Sequence, residues 1–327
     1  MTKRCTTEEL ARWILDRDDF VVLGHENPDG DATGSTLGLW HTLRALGKRA
    51  VVCLPGGVTY LFRHLPGAEA IVPTGEPLPF EPKTALSVDA SEVERLGEAG
   101  RALFERCGER GVIDHHATNP GFGQVMLLDG QAAAAGEMVV EVIEAMGAEL
   151  SREAAECLFV AISTDCGHFS YSSTRQRTFR AAGLCVAAGI DIDGVTRQLY
   201  RTRSQARTKL LGLVLSGLEV SGDGKIAWAR LTKGMLDAAH AGPEDNEGIV
   251  NYLQEIGGAK CAILAQERGG GTKLSLRSTP PFDVARAIAL PLSGGGHACA
   301  AGANVPLPLE EALQKALGLA REALERS

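Results

Sequence analysis

Four short apolar segments, three of which run out into acids and histidines, constrain this chain most. They are residues 19–25 (DFVVLGH), the RAVVCL segment at 49–54, residues 84–89 (TALSVD) and residues 111–114 (GVID). Each has the length and β-branched character of a buried strand. Helical patterns lie between and after them. A capping box, Thr6-x-x-Glu9, opens a helix to about Asp16. A second helix is predicted from Ala32 to Leu46, closed by Gly47, and three more over 132–146, 154–164 and 174–188. Strands alternating with helices predict βαβ units, hence an α/β fold with a mostly parallel N-terminal sheet flanked by helices. In such sheets ligands gather beyond the carboxyl ends of the strands.

The pattern changes after the basic stretch 197–209. LEVSGDGKIAWARL reads as a hairpin turning at Gly222-Asp223-Gly224, and KCAILAQE and TKLSLRS as two more strands. Residues 246–256 read as an amphipathic helix, and helices are predicted over 283–290 and 309–325. This predicts a first domain over 1–200, a linker over 201–212 and a smaller C-terminal α/β domain over 213–327, an organisation that 327 residues accommodate. The apolar fraction of 44% and charged fraction of 23% are those of a globular chain. No apolar run reaches the ~18 residues of a membrane span. The opening MTKRCTTEELARW has no apolar signal core, so a cytoplasmic protein without a membrane partner is expected. The eight cysteines include no C-x-x-C pair, which argues against a zinc knuckle.

The net charge of −8 disfavours tight binding to long nucleic acid. Residues 166–218 depart from that balance, with eight Arg and Lys (Arg175, Arg177, Arg180, Arg197, Arg201, Arg203, Arg207, Lys209) against Asp191 and Asp193. Such a segment is either a local anion-attracting face or a solvated helix surface.

The first strand leads into His25-Glu26-Asn27-Pro28-Asp29-Gly30-Asp31, the third ends at Asp89, the fourth at Asp114-His115-His116, and Asp165 follows an apolar helix. Singly these are unremarkable: Asp29-Gly30 makes a turn and Asp31 a helix N-cap. Jointly they deliver carboxylates and imidazoles to one rim of a parallel sheet. That donor set, without thiolate, suits Mn²⁺ or Mg²⁺. Four aspartates carry a charge that two divalent cations cancel, so two ions are expected rather than one.

Taken together, His25-x-x-x-Asp29-x-Asp31, Asp89, Asp114-His115-His116 and Thr164-Asp165 resemble the motifs of the DHH phosphoesterase family. Ser275-Leu276-Arg277-Ser278, followed by Gly294-Gly295-Gly296-His297 and Ala300-Ala301-Gly302, is similar to its DHH-associated C-terminal domain. The resemblance spans essentially the whole chain and is strongest to the oligoribonuclease and pAp (3′-phosphoadenosine 5′-phosphate) phosphatase branch. It implies an active-site cleft between the two domains. It further implies that His25 and Asp29 hold one metal, that Asp31, His115 and Asp165 hold the other, and that Asp89 bridges them. Asp114 then orients a ligand, and His116 faces the phosphate as a catalytic and substrate-binding group. Arg277, Gly294, Gly295, Gly296 and His297 are implied to bind substrate, the glycines in an N–H-rich turn before a helix. The implied activity is metal-dependent hydrolysis of oligonucleotides of roughly two to five nucleotides to mononucleotides, and of pAp. The alternatives are a cyclic-dinucleotide or linear-dinucleotide phosphodiesterase, a RecJ-like exonuclease, and a nucleotide-binding regulator without catalysis. A homodimer is compatible with the sequence.

Overall fold

The computed structural model describes residues 3–326, which form two compact units divided between Arg201 and Thr202.

The first unit holds strands β1 (Lys3–Arg4), β2 (Phe20–Leu23), β3 (Ala50–Leu54), β4 (Ile71–Pro73), β5 (Thr84–Val88), β6 (Glu109–Asp114) and β7 (Val125–Leu128). Its helices are α1 (Thr7–Leu15), α2 (Gly30–Ala45), α3 (Gly97–Arg106), α4 (Ala135–Ala145), α5 (Arg152–Asp165), α6 (Gln176–Ala187) and α7 (Ile192–Thr196). The strands make one sheet in the order β1-β7-β6-β5-β2-β3-β4, with every neighbouring pair parallel. Residues of β2, β3 and β5 are buried throughout, as expected of strands covered on both faces. Alternation sends Phe20 and Val22 into a core with α1, α2, α4 and α5, and Val21 and Leu23 into a core with Leu103 and Phe104 of α3.

The winding decides where a ligand belongs. From β2 the chain steps outwards through β3 to β4, then returns to β5 on the other side of β2 and continues through β6 to β7. The order therefore reverses between β2 and β5, the topological switch point at which open α/β sheets bind ligands.

Three strands of this unit went unpredicted: β1, β4 and β7 have two, three and four residues and lie at or near the sheet edges. The start of α2 also differs from expectation. Asp29, not Asp31, is its N-cap and accepts from the Ala32 N–H at 3.0 Å, which places Asp31 inside the first turn.

The stripe Gly30, Gly34 and Gly38 of α2 lies against α5. A Cβ at Gly34 would sit 2.3 Å from the Cys157 carbonyl oxygen, and one at Gly30 2.3 Å from Thr164 Oγ1. Only glycine permits this helix approach.

The second unit comprises α8 (Gln205–Ser216), β8 (Glu219–Val220), β9 (Ile226–Leu231), α9 (Lys233–Ala239), α10 (Ile249–Gln254), β10 (Cys261–Arg268), β11 (Gly271–Ser278), β12 (Gly295–His297), β13 (Ala300–Val305) and α11 (Leu309–Glu325). Its sheet runs β12-β13-β11-β10-β9-β8; only β9 and β10 pair in parallel. The stretch expected as a linker is largely helix, because Leu210 of α8 is buried in a core with Ile249 and Leu253. The helix expected over 283–290 is a single π turn, Ala285–Ala289, followed by a 3₁₀ turn. Gly295–His297 pairs with β13 as an antiparallel hairpin, so no helix follows the glycine run and a helix-dipole contribution there is ruled out. Among the described residues no helix is long and apolar enough to cross a membrane.

Candidate metal centre

The carboxyl ends of β2, β5 and β6 carry the donor residues, and the ends of α2 and α5 complete them. His25, just beyond β2, is buried. Its Nδ1–H donates to the Glu26 carbonyl at 2.8 Å, which turns Nε2 towards Asp29 (3.7 Å) and Asp89 (3.5 Å). Asp89 follows β5 with a left-handed φ of 59°, an unfavourable conformation for a residue with a side chain. Its carboxylate is buried, and Oδ1 has no hydrogen-bond partner.

His115, beyond β6, donates from Nδ1 to the Ala132 carbonyl at 3.3 Å. Its Nε2 faces three carboxylates at once: Asp31 at 3.7 Å, Asp89 at 3.4 Å and Asp165 at 3.4 Å. Asp31 is fully buried and is held by Ser35 Oγ (2.7 Å) and by the backbone N–H groups of Ala135 (2.6 Å) and Gly136 (2.9 Å), at the start of α4. A helix N-terminus compensates a buried carboxylate.

The donor atoms fall into two triads, His25–Asp29–Asp89 and Asp31–His115–Asp165, each with its atoms within 4.8 Å of one another. Asp89 also groups with His115 and His116. One imidazole N–H cannot satisfy three carboxylates, and buried like charges repel. The electrostatics record the conflict. Burial pushes Asp31 well above the usual carboxylate range, with the charges of Asp89 and Asp165 adding to it. Burial likewise carries Asp165 up to about 7. Burial opposes charge on the histidines, but the carboxylates outweigh it: Asp29 and Asp89 raise His25 to about 10, and Asp89 with Asp31 and Asp165 raises His115 to about 11. Burial would also raise Asp89, yet His115 and His25 hold it at about 2. Hard oxygen and imidazole donors converging around an orphaned carboxylate oxygen fit divalent cations.

Asp114 is fully buried beneath His116. Its Oδ1 accepts from His116 Nδ1 at 2.8 Å, and its Oδ2 from Asn119 Nδ2 at 2.6 Å. That hydrogen bond raises the His116 pKa. Asn119 also donates to the Ala90 carbonyl (3.1 Å), tying the β6 end to the β5 end. Sequence reading missed Asn119, Ser35 and the carbonyls of Glu26 and Ala132. The short DHHATN run is the only local signal for Asn119; the rest depend on tertiary approach.

The remaining expected residues lie in the second unit. Arg277, in β11, donates from Nε to Asn251 Oδ1 at 3.1 Å. Gly294 and Gly295 line a cavity of about 450 Å³ with Lys273, Ser293 and Asn304, and His297 is exposed at the end of β12.

Part of the basic segment is neutralised, while Arg175, Arg201, Arg203 and Lys209 are exposed. Arg177 pairs with Asp129, Glu137 (2.6 Å) and Glu141 (2.8 Å), Arg180 with Glu144 (2.7 Å) and Arg197 with Asp193. Acids of α4 neutralise the two arginines of α6.

Comparison with known proteins follows the same division. Residues 19–162 match the DHH family, N-terminal domain, and residues 229–326 match the DHHA1 domain. Over 310 residues, 94% of this chain and 91% of the relative, the sequence is 34% identical to the bifunctional oligoribonuclease and PAP phosphatase NrnA of Thermus thermophilus. The NrnA protein of Bacillus subtilis is 25% identical, with 91% of this chain and 92% of the relative covered. The crystal structure of an exopolyphosphatase-related protein from Bacteroides fragilis superposes with a TM-score of 0.90 at 29% identity, covering 98% of this chain and 96% of that one. With its strand-end motifs, its sheet order and a relative this similar along its whole length, the chain belongs to the DHH family and carries a DHHA1 domain as its C-terminal part.

Proposed function

We propose that this protein is a metal-dependent phosphoesterase that hydrolyses short oligonucleotides to mononucleotides and removes a phosphate from pAp. The observation that carries the reading is the pair of donor triads sharing the switch point between β2 and β5. The name of the Thermus thermophilus relative supports the substrate class.

In this reading His25 and Asp29 would hold one ion, Asp31, His115 and Asp165 would hold the second, and Asp89 would be shared by both. Divalent cations bound there supply positive charge to the phosphoryl oxygens and acidify water. The chain's own groups do the rest. The buried carboxylates are fixed by Ser35 and the start of α4, so little reorganisation accompanies reaction. Asp114 holds His116 with Nδ1 occupied, leaving Nε2 to face a phosphoryl or leaving oxygen. The raised pKa of His116 keeps that nitrogen protonated further towards neutral pH. In the second unit, Arg277 and the Gly294–His297 run are the candidate phosphate-binding groups.

Substrates are short, roughly two to five nucleotides. The net charge is −8, and three of the arginines that would track a strand are already paired.

The test is a turnover panel in Mn²⁺ (pAp, oligonucleotides from dimer to 20-mer, and cyclic dinucleotide) run on wild type and Asp89→Asn. Wild type should favour pAp and the shortest oligomers. The variant should lose one ion and at least roughly 10²-fold in kcat. Near-normal turnover with two ions bound sinks the ligand assignment. A 20-mer cut as fast as a trimer replaces the short-substrate reading with a RecJ-like one.

A further inference from the structure

Arg95 stands out among the arginines around the metal centre. Its neighbours Arg101 and Arg106 pair with Glu94, Glu105 and Glu81. Among the described residues Arg95 pairs with no carboxylate. Among the described residues the polar neighbour of its guanidinium is His25 Nδ1, 3.5 Å from Nη2. That nitrogen already donates to the Glu26 carbonyl, so it offers the guanidinium no lone pair.

The backbone holds this arrangement in place. The Arg95 carbonyl accepts from the Glu26 N–H at 2.6 Å, and the next residue, Leu96, is fully buried. A guanidinium anchored beside an acidic centre, yet bonded to none of its carboxylates, has its N–H fork available to another anion. Arg forks bind phosphate bidentately.

The side of the ring decides which phosphate. His25 presents Nε2 to Asp29 and Asp89, and Nδ1 to Arg95. The guanidinium is thus across the imidazole from the donor cluster, where the reacting phosphoryl group belongs. We propose that Arg95 binds a second, non-reacting phosphate of the substrate, one position along from the phosphate being cleaved. The inference rests on the phosphoesterase reading above.

The experiment compares substrates that differ only in that phosphate: pAp with adenosine 3′-monophosphate, and pApA with ApA. In Arg95→Gln the KM for pAp and pApA should rise about tenfold or more, since a charged hydrogen-bond pair is lost. The KM for the single-phosphate partners should stay within about twofold, and Mn²⁺ content should not change. Arg95→Lys, which keeps the charge without the fork, should fall between. Equal losses on both members of a pair, or loss of Mn²⁺, would make Arg95 a residue that orients His25 and would overturn the proposal. If wild type hydrolyses none of these substrates, the functional reading has failed instead. Calorimetric binding of pAp in Ca²⁺ then still decides the matter, because a Kd unchanged by Arg95→Gln rejects the second-phosphate site independently.

Discussion

Protons occupy the candidate centre when ions do not, and this gives its residues a measurable signature. With pKa values raised to about 10 and 11, His25 and His115 are both cations at neutral pH in the ion-free protein. A metal needs the neutral imidazole, so Mn²⁺ must displace those protons. Calorimetric titration near pH 7, in two buffers of different ionisation enthalpy, should report release of at least about two protons per protein. Affinity should fall as pH drops, and more steeply below about 7, where Asp165 takes up a proton as well. Binding without proton release would mean that these histidines are not ligands. Asp89 differs because the same histidines hold it at about 2, leaving it ionised throughout that range.

Among the elements, the α2–α5 pair does most to set the geometry, and it depends on residues with no chemistry of their own. Gly30 touches Thr164, so the chain around Asp29–Asp31 and the chain at Asp165 are brought together by a glycine contact. Gly34→Ala places a methyl group 2.3 Å from a backbone carbonyl that cannot rotate away. It should cost about 1–3 kcal/mol of stability and weaken Mn²⁺ binding, read by denaturation and metal titration. Gly212→Ala, in α8 with nothing near its Cβ, is the control and should be neutral or stabilising. Equal behaviour of the two variants would remove the glycine stripe from the account. The strands that carry ligands were legible in the sequence because they are buried on both faces and read as unbroken apolar runs ending in Asp or His. The short strands Ile71–Pro73 and Val125–Leu128 were not, since three or four residues carry too little pattern. The Gly295–His297 strand was hidden by its composition, because glycine signals a turn and pairing with Ala300–Gly302 comes only from tertiary structure. The partners of Arg177 escaped for a similar reason: Asp129, Glu137 and Glu141 lie 36 to 48 positions away in the chain.

On the scale of the whole molecule, each unit buries its own core and could melt on its own terms. The proposed donors belong entirely to the first unit and span most of it, from His25 just beyond the strand that starts the winding to Asp165 at the end of α5. Ions held by them would therefore act as cross-links, tying both directions of the winding to one point and closing loops that no disulfide closes, since all eight cysteines are free thiols. A ligand that binds only the folded form adds about 2.7 kcal/mol at a hundred times its Kd. Scanning calorimetry should accordingly show Mn²⁺ raising the melting transition of the first unit and leaving that of the second in place, with the shift reduced by Asp89→Asn. A transition that ignores Mn²⁺ would argue against the cross-link. Ions at the switch point between β2 and β5 would thus make the proposed reactive centre a fastener as well, and an enzyme of this design that lost them would lose rigidity along with activity.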